Sequence, residues 1–136
     1  MLQGGDIIKG DGTGEICIYG KSFADESYAV KHCRPGLLSM ANSGPHTNNS
    51  QFFITTNKAP HLDDKHVGFG MVTKNLEALW KLEECGSASG GARCDVTIVS
   101  CGIHPKTEWP TREKDWIPDE MKKPEIVDPD DPFADF

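Results

Sequence analysis

The hydrophobic residues of this chain fall into short runs that are separated by glycine, proline and small polar residues. Four runs have the length and composition of β-strands, namely residues 37–42, 51–55, 67–72 and 94–101. The first is bounded by the turn dipeptides Pro35-Gly36 and Gly44-Pro45. The third contains glycines, which indicate a bend or a close approach of another backbone, and the fourth is rich in β-branched residues.

One segment has the spacing of an amphipathic helix. Apolar residues follow Val72 at positions i+4, i+7 and i+8, which lie on one helix face, and Gly86 supplies a stop signal. The spacing predicts a helix over residues 75–84. Short strands with one helix near the end predict a mainly β fold, in which a closed or sandwiched antiparallel sheet is covered by a helix.

Size and charge restrict the class of protein. At 136 residues the chain has room for one domain. Its net charge of -7 argues against binding to nucleic acid or anionic lipid, because both need clustered Lys and Arg. No stretch approaches the roughly 20 apolar residues of a transmembrane helix, and the N-terminus lacks a signal-peptide pattern. We therefore expect a soluble protein without a membrane segment, inside the cell and by preference in the cytoplasm.

Residues 104–136 differ from the rest of the chain. They hold five basic against ten acidic side chains, a net charge of -5, and six of the nine prolines. We predict a folded domain over residues 1–103 and an extended, acidic, Pro-rich extension over residues 104–136. Two interpretations of the extension stay open: a solvated tail, or a strip that binds a partner or folds back on the domain through Trp109, Trp116, Phe133 and Phe136.

The candidate chemistry is neutral. Five cysteines without a Cys-x-x-Cys pair predict neither a disulfide framework nor a zinc site, and we expect free thiols. No metal-ligand cluster or Ser-His-Asp order stands out, so we expect no metal or cofactor. His32 and His104 stand at loop or strand ends, where we expect a solvated histidine. Period-2 geometry puts Gln51 and Phe53 on one accessible face, where an amide beside an aromatic ring is typical of a peptide pocket.

Residues 37–54, which read LLSMANSGPHTNNSQFFI, resemble the signature of the cyclophilin family of peptidyl-prolyl cis-trans isomerases. Further segments match the family in the same order and spacing, namely residues 1–6, 12–14, 18–20, 62–67 and 69–70. The resemblance covers residues 1–103 and implies an eight-stranded antiparallel barrel that is capped by helices and carries a proline-binding pocket on its outer face. It implies a function in binding Xaa-Pro peptide segments and assisting protein folding, without a cofactor.

The resemblance also assigns roles to individual residues. By this similarity the proline pocket uses Met1, Phe53, Leu62 and His66. The adjoining groove uses Gln3, Ala41, Asn42 and Gln51, with Asn42 acting through backbone hydrogen bonds, and Gly12 borders a neighbouring subsite. His61, also in the groove, stands where the family often carries a tryptophan that contributes to cyclosporin binding. The resemblance therefore implies that this chain binds peptides but binds cyclosporin weakly.

The catalytic arginine of the family has no match in this sequence. The family motif places that arginine and one pocket phenylalanine before the segment that Met1 matches, and Arg34, Arg93 and Arg112 do not fit the motif. We therefore expect the opening strands and the first helix of the barrel to lie upstream. Three hypotheses follow: an isomerase, a catalytically degenerate binding or scaffold subunit whose barrel a partner chain completes, or a sequence whose start is a gene-model boundary.

Overall fold

A computed structural model of the protein describes residues 1–103. The strands are β1 (Leu2–Gly4), β2 (Leu37–Met40), β3 (Phe52–Ile54) and β4 (Gly68–Met71), with a 3-10 helix at Pro60–Leu62 and α1 at Glu77–Glu84. The mainly β architecture with one late α-helix is confirmed, and β2, β3 and β4 each lie inside a predicted strand. The predicted extension and its aromatic residues lie outside the described residues.

The four strands form one antiparallel sheet in the order β1-β3-β2-β4. Strand β3 is central, and Phe53 has Gln3 as its partner on β1 and Ser39 as its partner on β2. Directly opposite residues of antiparallel strands project to the same side of a sheet. Gln3, Phe53 and Ser39 therefore share one side, which we name the Phe53 face. Within residues 1–103 the sheet has edges at β1 and β4 and does not close into the eight-stranded barrel of the family.

Strand β4 runs against the segment that precedes β2. A Cβ atom at Gly68 would lie 2.7 Å from Cγ1 of Val30, so no side chain fits there without a shift of the neighbouring chain. The pairing of β2 with β4 also changes register between Leu38 and Ser39. At Gly68 another part of the chain does approach closely, but with the side chain of Val30 and not with its backbone, and Gly70 has ordinary clearance.

Helix α1 begins two residues later than the spacing predicts. Asn75 has a backbone φ of 56°, in the left-handed region, and therefore cannot continue a right-handed helix. Leu79 of α1 and Leu76 just before it are buried, while Trp80 is exposed. The apolar face thus packs onto the sheet beside β1. No helix within residues 1–103 is long and apolar enough to cross a membrane.

The strand predicted over residues 94–101 is wrong. None of these residues enters a ladder with another part of residues 1–103, and Val99 is 93% exposed. β-branched residues favour an extended backbone, but a strand exists only where a neighbouring strand accepts its hydrogen bonds. The composition therefore identified an extended segment, and the described part of the chain supplies no partner strand for it.

Replacement of Leu76 by alanine tests the packing of α1. Leu76 is only 1% exposed, so truncation leaves a cavity and should lower the free energy of unfolding by about 2–5 kcal/mol. Urea unfolding followed by circular dichroism measures the change. Lys81→Ala, at an exposed position of the same helix, is the matched control and should alter stability by no more than about 0.5 kcal/mol. Equal effects of the two substitutions would contradict the described packing.

Candidate functional site

A cleft lies between the N-terminal end of β1 and the 3-10 helix. Its volume is about 340 Å³, within the roughly 300–1,000 Å³ typical of small-ligand sites. Three residues assigned by the resemblance, Met1, His61 and Leu62, line it together. Residues from the end of β3 through the following loop complete the lining (Thr55, Thr56, Asn57, Lys58 and Ala59), with Glu83 from α1. The structure thus brings three of the predicted site residues into one concave surface.

Phe53 is the buried centre of the Phe53 face. Its ring packs edge-on against His66, with centroids 5.2 Å apart, and lies nearly parallel to the ring of His32 at 5.8 Å. Phe53 is 2% exposed and Gln51 is 5% exposed, so the prediction that these residues stand on an accessible face is wrong. They do share one side of β3, as period 2 predicts, but that side is covered by the two imidazole rings and by the loop of residues 10–14.

His66 is held in place by two hydrogen bonds. Its Nδ1 lies 2.9 Å from the carbonyl oxygen of Met40, which can only accept, so this nitrogen carries the proton. The backbone N–H of His66 donates to the carbonyl of Leu62 at 3.2 Å. These bonds tie the segment that follows the 3-10 helix to the end of β2. The ring of His66 is therefore fixed over Phe53, and Leu62 is fixed at the wall of the cleft.

The amide of Gln51 is saturated by internal hydrogen bonds. Its Nε2 donates to the carbonyls of Gly12 at 3.0 Å and Gly14 at 2.8 Å, while its Oε1 accepts from Nε2 of Gln3 at 3.0 Å. The backbone carbonyl of Gln51 accepts from the N–H of Ala41 at 3.1 Å. Four of the residues assigned to the groove and subsite are thus one connected network. Gln3 is the exposed amide of this network, and Gln51 orients it.

Asp6, which the sequence did not single out, organises the loop of residues 10–14. Its two carboxylate oxygens accept four backbone N–H groups, from Ile8, Lys9, Gly12 and Gly14, at 2.9–3.1 Å. The hydrogen bond from Lys9 and those from the other three residues lower the pKa of Asp6 below its ordinary value. An aspartate just before a glycine-rich loop is a signal for such a turn. Through this loop Asp6 holds the carbonyls that orient Gln51.

Asn42 has a side chain that is already bonded within the fold. Its Nδ2 donates to the carbonyl of Lys65 at 2.8 Å, and its Oδ1 accepts the N–H of Gly44 at 3.3 Å. The backbone N–H and C=O of Asn42 make no hydrogen bond to another of residues 1–103. The main chain at this position, and not the side chain, is therefore without a partner among the described residues, and the role that the resemblance implies for it stays a prediction.

His32 is fully buried, so the prediction of a solvated histidine is wrong. Its Nδ1 lies 2.8 Å from Oδ1 of Asp63 and its Nε2 lies 2.9 Å from Oγ of Ser39. These residues form the Ser-His-Asp arrangement that the sequence did not reveal, because its members come from three separate segments. Solvent does not reach His32 or Ser39, so a substrate cannot reach this arrangement. Its contribution is to hold the ring of His32 against that of Phe53. In residues 1–103, no three His, Cys, Asp or Glu side chains converge to hold a metal.

An open antiparallel sheet with a buried aromatic, an amide network and an adjacent cleft defines the class of this domain. The chain belongs to the cyclophilin type peptidyl-prolyl cis-trans isomerase family, whose sequence profile matches residues 1–103. Two curated relatives bear the name E3 SUMO-protein ligase RanBP2, one from Homo sapiens and one from Pan troglodytes. Each is 56% identical over 102 residues, which is 75% of this chain and 3% of the relative. The chain therefore spans only a small part of the length of these relatives.

Replacement of Asp6 by asparagine tests the loop. The amide loses one acceptor oxygen, so the variant should be less stable at neutral pH. Because the folded-state pKa of Asp6 is lowered, its stabilising effect is present above the ordinary carboxyl pKa and is lost as the pH falls below it. Urea unfolding between neutral pH and about pH 3 should show the two proteins converging.

The control for this series is Asp95→Asn, at an exposed carboxylate for which the described part of the chain shows no hydrogen bond. We expect this variant to match the parent protein over the whole pH range. If Asp6→Asn showed a stability deficit that stayed constant with pH, the carboxylate would not be the group that holds the loop.

Replacement of His61 by tryptophan tests the rim of the cleft. An indole buries a large apolar area against a macrocyclic ligand, so we expect cyclosporin to bind about tenfold more tightly, a gain of about 1.4 kcal/mol. Isothermal titration calorimetry measures the dissociation constant. Thr73→Trp, at an exposed position outside the cleft lining, is the matched control. An equal gain in both variants would show that His61 does not set the affinity.

Proposed function

We propose that this chain binds peptide segments that contain an Xaa-Pro bond and accelerates the cis-trans isomerisation of that bond, thereby assisting the folding of other proteins. The observation that carries the proposal is the cleft with Met1 and Leu62 in its walls, next to the strand that carries the buried Phe53. A proline ring is an apolar object that fits such a concave surface. The family supplies the reaction, and the cleft and the groove network supply the binding surface.

The reaction needs no nucleophile, because no σ bond breaks. The barrier of about 18–20 kcal/mol comes from the amide resonance that is lost when the bond twists. The planar amide carries more charge on its oxygen than the twisted amide, so an apolar surrounding destabilises the planar state relative to the twisted one. Holding the proline ring against Met1 and Leu62, the large apolar side chains of the cleft, therefore lowers the barrier without any change in covalent bonding.

The flanking peptide has to be anchored so that rotation occurs about a single bond. Two groups of the site are free to do this. Gln3 presents an exposed amide whose orientation is fixed by Gln51, and Asn42 presents an unpaired backbone N–H and C=O among the described residues. Both are held by hydrogen bonds on their far sides, so they meet the peptide with little loss of conformational freedom. In this proposal His61 lies at the rim and Ala41 and Gly12 border the groove.

A second function is favoured by the lack of an arginine in the cleft lining among residues 1–103. Arg34 lies before β2, where its carbonyl accepts a hydrogen bond from the hydroxyl of Thr55. Arg93 lies beyond the end of α1, and neither residue is part of the cleft lining. The resemblance assigns the stabilisation of the twisted amide to an arginine. The alternative is therefore a binding or scaffold subunit that holds Xaa-Pro segments without catalysis, or one whose barrel and arginine a partner chain supplies.

The name of the relatives describes a ligase, and we do not extend that activity to this chain. The match covers 102 residues, which is 3% of each relative. A ligase activity can belong to any of the remaining length of those proteins. The part that is alike is the cyclophilin-type domain, and the proposal for this chain is limited to the chemistry of that domain.

Titration of the 15N-labelled chain with a succinylated Ala-Ala-Pro-Phe peptide tests binding, and exchange spectroscopy on the same sample tests catalysis. Uncatalysed isomerisation takes tens to hundreds of seconds, so cis-trans exchange peaks appear only with a catalyst. In Leu62→Ala, loss of about 1 kcal/mol of apolar contact should weaken binding about fivefold. Ile18→Ala, which removes an aliphatic group that is 90% exposed and lies outside the cleft, should bind like the parent.

The outcomes separate the two functions. Binding together with exchange peaks, both reduced by Leu62→Ala and unaffected by Ile18→Ala, supports the isomerase. Binding without exchange peaks supports the non-catalytic subunit. Absence of any chemical-shift change in the cleft residues at millimolar peptide rejects both functions for this chain.

A further inference from the structure

Two cysteines face each other at the end of α1. Cys85 directly follows the last residue of the helix, and Cys94 lies nine positions further along the chain. Cys94 directly follows Arg93, whose backbone N–H donates to the carbonyl of Cys85 at 2.6 Å, so the two cysteines are neighbours in space, and both thiols are free. Cys85 is half-buried and Cys94 is exposed. The pair is therefore within reach of a small oxidant from solvent.

The backbone between the two cysteines forms a closed hairpin. Gly86 and Ala92 form an antiparallel bridge, and the N–H of Arg93 donates to the carbonyl of Cys85 at 2.6 Å. At the tip the N–H of Gly90 donates to the carbonyl of Ser87 at 3.0 Å. The chain thus returns on itself directly beside Cys85. The fold therefore holds the backbones of Cys85 and Cys94 next to each other.

The hydrogen bonds also indicate the order in which the two thiols react. The thiol of Cys85 donates to the carbonyl of Lys81, with a sulfur–oxygen distance of 3.8 Å. An interaction with the side chain of Cys85, desolvation and the nearby charges of Cys85 and Asp95 raise the pKa of the Cys94 thiol. A thiol with a raised pKa is a poor first nucleophile. In the exchange proposed below, Cys85 therefore reacts first and Cys94 second.

We propose that Cys85 and Cys94 form an intramolecular disulfide when the protein meets a small-molecule disulfide such as oxidised glutathione. The Cys85 thiolate attacks one sulfur of oxidised glutathione, which forms a mixed disulfide and releases one glutathione thiolate. Cys94 then loses its proton to water and attacks Sγ of Cys85, which releases the second glutathione. Two protein thiols are oxidised and one glutathione disulfide is reduced to two thiols, so atoms and electrons balance.

The second step should be fast because the hairpin holds Cys94 next to Cys85. A group held in contact acts at an effective concentration of millimolar or more, and the repulsion from the Cys85 thiolate ends once Cys85 is in the mixed disulfide. The other three cysteines have no thiol partner among residues 1–103: Cys17 and Cys33 are half-buried and Cys101 is exposed. They should stop at the mixed disulfide or not react.

The bridge would fix the end of α1 close to the cleft. Glu83, two residues before Cys85, lines the cleft and accepts a hydrogen bond from Oγ1 of Thr56 at 2.5 Å. The disulfide itself does not rest on the proposed isomerase function, because it needs only the two thiols and an oxidant. Its test is therefore independent of any activity measurement.

The test uses the full chain incubated with oxidised glutathione and analysed by intact mass and by peptide mapping without reduction. The expected product has lost two hydrogen atoms, and the map joins the peptides of Cys85 and Cys94. Cys94→Ser should accumulate glutathione on Cys85 without forming this bridge. Cys101→Ser, at an exposed cysteine, is the matched control and should form the bridge at the rate of the parent.

Three results would overturn the proposal. One is a parent protein that keeps stable mixed disulfides at Cys85, the second is a bridge that involves Cys17, Cys33 or Cys101 instead, and the third is a bridge that forms only after denaturation in urea. Circular dichroism of each variant before oxidation identifies any variant that has failed to fold. The peptide map of the parent protein decides the question without any variant.

Discussion

The register of β3 between β1 and β2 is the constraint on which the site depends. It places Phe53 opposite Gln3 on one side and Ser39 on the other, and it places Gln51 two residues away on the same face. Side chains alternate along a strand, so a slip of one residue would turn Phe53 and Gln51 to the opposite side of the sheet. The contacts that Phe53 and Gln51 make on this face follow from this one alignment.

Polar contacts around the Phe53 face fix the site as firmly as apolar packing does. His32 reaches both Ser39 and Asp63 with its ring nitrogens, so one buried imidazole joins β2 to the segment after the 3-10 helix. On the other side Asp6 holds the loop that holds Gln51. A buried polar group is stabilising only when its partners are all present. The proposed binding surface is therefore positioned by residues that lie beneath it or beside it.

Local signals in the sequence were sufficient to predict most of the strands and the helix, but they were insufficient to predict which segments pair with one another. The strands at residues 37–42, 51–55 and 67–72 and the helix at 75–84 were predicted because each carries its own periodicity and its own flanking turns. The strand at 94–101 was wrong because pairing depends on another segment, and the start of α1 was two residues early because a left-handed Asn75 leaves no mark in hydrophobic spacing.

The same limit applies to the site. The resemblance named the residues that surround Phe53, but it did not show that Phe53 and Gln51 are covered, because coverage comes from His66 and from a loop distant in sequence. His32 and Asp6 were missed for a related reason. Their partners lie in other segments or are backbone N–H groups, and a single sequence carries no direct record of either.

At Asn42 the side chain is bonded inward and the main chain is left unpaired among the described residues. Under the proposed function, a surface that contacts a peptide through its main chain would be indifferent to most side chains around the proline, and such a domain would select its clients by accessibility and local concentration more than by sequence.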